Sequence, residues 1–182
     1  MADTYWADRS LVPKRQNRFI LEMNLGQTGQ TVSYLVKTSG RPSFSVTEAE
    51  HRFLSHKFYF PGVVEWETLD VTLVDPVSPN ASNIMWEALG AGSSEGMGWN
   101  EPNTFEDAKQ AIVSKKKATE FGINGVVIRA LDGDGNVADE WALQNCWVQA
   151  VKFGDFDYSG DDLIDVTLTL RFDWASYNPV QR

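Results

Sequence analysis

The chain has 182 residues, with 16 Lys and Arg against 25 Asp and Glu, and so a formal charge of −9 at neutral pH. That length suits one domain, and a 42% hydrophobic content with 7 Trp, 5 Tyr and 10 Phe is too apolar for a disordered chain. An acidic balance of this size argues against a surface built to neutralise nucleic-acid phosphates.

Residues 1–17 read as an N-terminal extension, in which Trp6 and the run Pro13, Lys14, Arg15 suggest no role. Period-two alternation then begins. Phe19, Leu21 and Met23 alternate with Glu22 and Asn24, and after a glycine turn at 26–29 Val32, Tyr34 and Val36 alternate with Ser33 and Lys37, which predicts a hairpin. Residues 42–62 follow, carrying Phe44, Val46, Phe53, Phe58, Tyr59 and Phe60, more apolar surface than a solvated connection should expose. Two readings stand side by side here: a further edge hairpin on the parent sheet, or an extended arm that docks on a neighbouring copy. Leu69, Val71 and Leu73 predict the next strand.

The spacing of Ile84, Met85, Ala88 and Leu89 predicts a short helix from Ser82 to Leu89 with Gly90 at its C-terminal cap. Residues 90–103, with four glycines and a proline, form a predicted surface loop. Thr104, Phe105, Glu106 and Asp107 resemble a capping box, and Ala108, Ala111 and Ile112 extend a second predicted helix as far as Lys117. Val126, Ile128 and Ala130 lead through Asp132-Gly133-Asp134-Gly135-Asn136 to Val137, Trp141 and Leu143, a second hairpin. The clearest alternation closes the chain: Ile164, Val166, Leu168, Leu170, Phe172 and Trp174 against Asp165, Thr167, Thr169, Arg171 and Asp173. Residues 175–182 read as a C-terminal tail. The expected fold is a single, mainly β domain: an antiparallel sandwich or barrel with one or two short helices.

The chemical motifs do not assemble into a reactive site. Gly92-Ser93-Ser94-Glu95-Gly96 matches a nucleophile elbow, but a helix precedes it where a strand is required, and His51 and His56 both come before the serine rather than after it. Asp155, Asp157, Ser159 and Gly160 satisfy the first half of a calcium loop; the twelfth position is Val166, not the bidentate Glu, so an acidic turn is the plainer reading and calcium held with Asp161 or Asp162 an alternative. His51 and His56, five apart on one extended strand, are expected on opposite faces and so unable to share an ion. Lys115-Lys116-Lys117 reads as a solvated face, and Asn80-Ala81-Ser82 is formally a glycosylation triplet with no expected use. The lone Cys146 excludes an internal disulfide. No window approaches the roughly 18 apolar residues of a membrane span, and the chain reads as cytosolic or as part of something assembled there. The expectation is a non-enzymatic domain without a cofactor or metal.

The order of features is similar to that of tail tube proteins of contractile-tailed bacteriophages. The resemblance runs from Phe19 to Trp174. Its most specific patch is Phe58-Tyr59-Phe60-Pro61-Gly62, then Trp66, then Val71-Thr72-Leu73-Val74-Asp75. It continues through the helix with Trp86, a stretch like Ala111-Ile112-Val113, the hairpin at Asp132-Gly133, Asn145-Cys146-Trp147 and the strand Val166-Thr167-Leu168-Thr169-Leu170. The long leader and the residues after Trp174 depart from the family and suit an initiator or junction ring as well as the repeated subunit.

The resemblance implies hexameric rings stacked inside a contractile sheath, a virion location after assembly in the host cytoplasm, and self-association as the main contact. Sheath, tape measure, baseplate and tail terminator proteins are the other implied partners, and DNA passes through without specific binding. Six such chains carry six times −9, or −54, which would repel DNA wherever it faced the lumen. On this reading Asp165, Thr167, Thr169 and Arg171 face the lumen and Phe44, Val46, Phe53, Phe58, Tyr59 and Phe60 form the inter-subunit arm. A tube of a related injection or type VI-like secretion apparatus is the first alternative. A monomeric calcium- or ligand-binding β-sandwich is the second.

Overall fold

The computed structural model describes residues 13–25, 30–31, 33–89, 113–119 and 123–180. The expected turn at 26–29, the loop at 90–103 and most of the second predicted helix, 104–112, lie outside them.

Two antiparallel sheets face each other. The first has five strands in the order β11 (Trp174–Pro179), β8 (Val137–Gln144), β7 (Ile123–Leu131), β1 (Phe19–Leu25) and β2 (Gln30–Thr31). The second has four: β3 (Val36–Ser39), β6 (Leu69–Val74), β10 (Asp165–Arg171) and β9 (Trp147–Lys152). Each sends alternate residues inward, Leu21, Met23, Ile128 and Leu143 from one and Val71, Leu73, Val166, Leu168 and Leu170 from the other, into one apolar cluster. This is the β-rich, mainly antiparallel sandwich that the alternation predicts, because a strand with one apolar face must cover it with a second layer.

Helix α1 (Ala81–Leu89) closes one end of the core with Ala81 and Met85. Asn80 caps it by accepting a hydrogen bond from the Asn83 amide at 2.6 Å, and the Asp75 carboxylate accepts from the Ala81 amide at 2.8 Å, so two of the unpaired first-turn donors are satisfied. Of the second predicted helix the described part keeps a single turn, α2 (Lys115–Lys117), capped by Ser114.

Three expectations are revised. Among the described residues only Gln30 and Thr31 pair back onto β1; the chain makes a 3-10 turn at Ser33–Leu35 and crosses to the other sheet as β3, so the first hairpin is two strands in two sheets. The last alternating run is not one strand. β10 stops at Arg171, Phe172 tucks into the core, and Trp174 opens β11 in the opposite sheet. Asp173 makes that corner: its amide donates to the Gln144 carbonyl at 3.0 Å and its carboxylate accepts from Asn145 and Lys115 at 2.8 and 2.6 Å. Residues 175–179, read as tail, therefore belong to β11.

The third revision concerns residues 42–62. Among the described residues β4 (Phe44–Phe53) and β5 (His56–Trp66) pair only with each other, as a separate two-stranded sheet. They are not an edge hairpin of the parent sheets. The second full hairpin, β7 to β8, forms as expected: the Asp132 carboxylate accepts from the amides of Asp134 and Asn136 at 2.8 and 2.9 Å, and Gly135 takes the positive φ of +84°.

Candidate assembly interface

The arm exposes every residue of β4 and all of β5 except Trp66. A two-stranded ribbon cannot bury its own side chains, so what anchors it is its root: Phe44 meets Trp66 edge to face at 5.4 Å, and Trp66 meets the core residue Phe172 at 5.8 Å. A cavity of about 700 Å³ opens beside that root, between Trp66, Trp147, Arg171 and Asp173. Register sorts the arm into two faces. The pairs Ala49 with Phe60, His51 with Phe58 and Phe53 with His56 share one face; Glu48 with Pro61, Glu50 with Tyr59 and Arg52 with Lys57 share the other. Phe53, Phe58 and Phe60 thus form one aromatic stripe, whereas Tyr59 lies on the charged face, where Lys57 pairs with Glu50 at 2.9 Å. Phe44 and Val46 lie at the root, beyond a register shift between Val46 and Glu48. At that shift Gly62 is needed, because a Cβ there would come 2.9 Å from the Thr47 carbonyl oxygen.

The histidine expectation fails for a topological reason. A turn at Leu54 and Ser55, not continuous strand, separates His51 from His56, which puts both on the aromatic face. Among the described residues no three His, Cys, Asp or Glu side chains gather to hold a metal ion. No helix among them is long and apolar enough to cross a membrane.

The four residues expected to face a lumen lie on β10 between the buried Val166, Leu168 and Leu170, and so share the outer face of the four-stranded sheet. Two of them have partners within the sheet. Lys37 on β3 pairs with Asp165 at 2.5 Å, the second Asp165 oxygen is buried without a partner, and Thr169 donates to Asp70 at 2.8 Å. Lys37, Lys152 and Arg171 on this face offset Asp70 and Asp165. The chain's negative charge is therefore concentrated elsewhere.

Part of it sits in the connection from β9 to β10, residues 153–164. Asp155, Asp157, Asp161 and Asp162 are all exposed there, and Phe156 and Tyr158 are 91% and 111% exposed, open to water over their whole surface. Gly154 starts this loop at φ +78°, where a Cβ would strike the Asp165 carbonyl oxygen at 2.6 Å. Asp157 accepts from the Ser159 amide and hydroxyl at 2.9 and 2.7 Å, which holds its carboxyl below the usual carboxylate range and keeps it ionised.

Opposite in sign is a cleft of about 440 Å³ between β1, β3, β7 and β8. Lys14, Arg15, Arg18, Lys37 and Arg41 line it against one carboxylate, Asp139. Asp139 is almost fully buried; Lys14 pairs with its Oδ2 and Arg41 stands 3.8 Å away. Its Oδ1 and the indole nitrogen of Trp141, also in the lining, are buried without a hydrogen-bond partner. Sequence reasoning missed this cleft. The signal was present: Asp139 occupies an inward position in the alternation Val137, Trp141, Leu143, and Lys14-Arg15 had no role until the fold carried it there.

Two further groups are structural. Arg129 spans Glu140 at 2.8 Å and Glu22 at 2.5 Å across three strands, and those hydrogen bonds raise its pKa. Burial pushes the Cys146 thiol up to about 12, so it stays protonated and inert.

No protein-family model and no curated protein sequence matches the chain. Solved structures do match in fold. A chain in the baseplate of the anti-feeding prophage superposes with a TM-score of 0.63 at 16% identity, covering 94% of this chain and 99% of that one. A chain in the sheath/tube terminator of an extracellular contractile injection system gives 0.63 at 14%, covering 93% and 99%. A chain in the tube-terminating cap of the anti-feeding prophage gives 0.61 at 18%, covering 99% and 100%. The fold is thus one that occurs, over nearly the whole chain, in components of contractile injection particles.

Proposed function

We propose that this chain is a ring-forming tube subunit of a contractile, phage-tail-like particle, with six copies per ring and rings stacked into a conduit. The observation that carries the reading is the pair of edges left by the four-stranded sheet. Among the described residues that sheet ends in β3 on one side and β9 on the other, and its antiparallel order makes these two strands run in opposite directions. β9 of one copy can therefore pair with β3 of the next and continue the alternation without a break. A ring closed this way has no open edge, which is how large sheets escape uncontrolled association. The outer face, with Thr167, Thr169 and Arg171, becomes the lumen wall, and the aromatic stripe of the arm is left to contact the adjacent subunit or ring.

The likeness to chains of injection particles supports this role. A contractile bacteriophage tail passing DNA, located in the virion, and an injection particle passing protein would use the same geometry. The near balance of charge on the outer face favours the second cargo, because it supplies little of the repulsion that keeps a polyanion from sticking. Negative-stain electron microscopy of the purified chain at high concentration tests the assignment. Rings or tubes with a central hole are expected; a chain that stays monomeric alone and with baseplate added overturns it.

A further inference from the structure

We infer that the acidic 153–164 loop of each subunit seats in the basic cleft of the next copy around the ring. The inference rests on the tube reading and names the contact that would select one copy of this chain as the neighbour of another.

Register brings the two surfaces together. One row of paired residues crosses the whole four-stranded sheet, from Thr38 in β3 through Thr72 and Thr167 to Lys152 in β9. Where β9 meets the next copy's β3, Lys152 comes level with that copy's Thr38, within the modest stagger that a closing barrel imposes. The loop leaves the sheet at the next residue, Phe153. On the neighbour, the residue just before Thr38 is Lys37, which lines the cleft. A connection of this length reaches roughly 15 Å from its roots, enough to cross such an offset.

Chemistry matches the placement. The loop brings Asp155, Asp157, Asp161 and Asp162; the cleft presents Arg15, Arg18 and Arg41 beside Lys14 and Lys37, which pair with Asp139 and Asp165. Phe156 and Tyr158, fully exposed beside the acids, supply apolar area of the kind that interface centres bury. The loop does not fill its own cleft, since those aromatics are open to water in the isolated subunit. Opposite charges arranged this way set partner choice and association rate.

A charge swap tests the contact. Full-length Arg15→Glu/Arg41→Glu and Asp161→Lys/Asp162→Lys are prepared, and cooperative thermal melts verify that each folds. Assembly is followed by sedimentation and negative stain. Each variant alone is expected to need at least about a tenfold higher concentration to form rings than the native chain, and an equimolar mixture is expected to assemble near the native concentration, because each then finds a complementary partner. The neutral variants Arg41→Gln and Asp162→Asn should give the same ordering at about three- to fivefold, which keeps the test readable if a reversal fails to fold. Native assembly by either reversal, or loss in both without rescue on mixing, overturns the docking while leaving the tube reading in place. A native chain that stays monomeric with and without baseplate overturns both.

Discussion

β10 and β4 read alike in sequence and differ in what they bury. Both intersperse apolar with polar residues, yet β10 sends Val166, Leu168 and Leu170 into the core whereas all ten residues of β4 are exposed. Alternation therefore marks a strand and says nothing of what lies above its apolar face. In the body a second sheet lies there. Over the arm the described residues supply nothing, and the aromatic stripe of Phe53, Phe58 and Phe60 keeps its affinity for apolar surface until something covers it.

Substitutions can break that comparison. The largest effect is expected in the core, where Leu168→Ala should lower unfolding free energy by about 2–5 kcal/mol in urea titrations; a loss well under about 1 kcal/mol would mean that β10 is not packed as described. Next comes the cleft. Lys14→Met leaves the buried Asp139 carboxylate with only Arg41 at 3.8 Å and a long contact from Tyr177, at a cost of about 1–3 kcal/mol. Asp139→Ala should cost less, because Lys14 is half exposed and returns to water; equal losses in urea titrations of the two would show that burial of the acid is not what matters.

A smaller effect belongs to the corner between β10 and β11. Hydrogen bonds from Lys115 and Asn145 hold the Asp173 carboxyl below its ordinary range. A pKa lowered by folding stabilises the fold above the unfolded value, near 3.9, and that contribution fades as the pH falls through the folded value. Asp173→Asn should cost a few tenths of a kcal/mol at pH 7, as expected for an exposed pair, and the difference between variant and native melting temperatures should vanish near pH 2. A difference that persisted there would assign the effect to packing. The smallest stability effect is expected on the arm: Phe58→Ser/Phe60→Ser should leave monomer stability within about 0.5 kcal/mol by urea titration and yet abolish rings in negative stain. Intact tubes would defeat the arm's role, and a large loss of stability would show that the stripe is buried in the monomer.

Much of the body was legible from residue patterns. The β7–β8 hairpin carried both its alternation and its turn chemistry, and the inward set Val166, Leu168, Leu170 followed from period two alone. What misled was the assumption that a continuous pattern is a continuous strand. Phe172 and Trp174 keep the parity of β10, but the hydrogen bonds of Asp173 turn the chain between them into the other sheet. His51 and His56 were misplaced in the same way, because spacing along the chain ignores a turn. The expected lumen residues share a face as alternation requires, but the Lys37–Asp165 pair could not be foreseen from positions so far apart.

Composition and periodicity by themselves determined that this is one mainly β chain of alternating strands with an aromatic segment too apolar for a loop, since those properties depend only on neighbours along the sequence. Only the tertiary structure decided that this segment stands off as an arm, that the four-stranded sheet ends in two edges of opposite direction, and that Lys14, Arg15, Arg18, Lys37 and Arg41 line one cleft around Asp139. Those features depend on which strands pair and in what register, and pairing is set by contacts between residues distant in the chain, which local pattern does not encode.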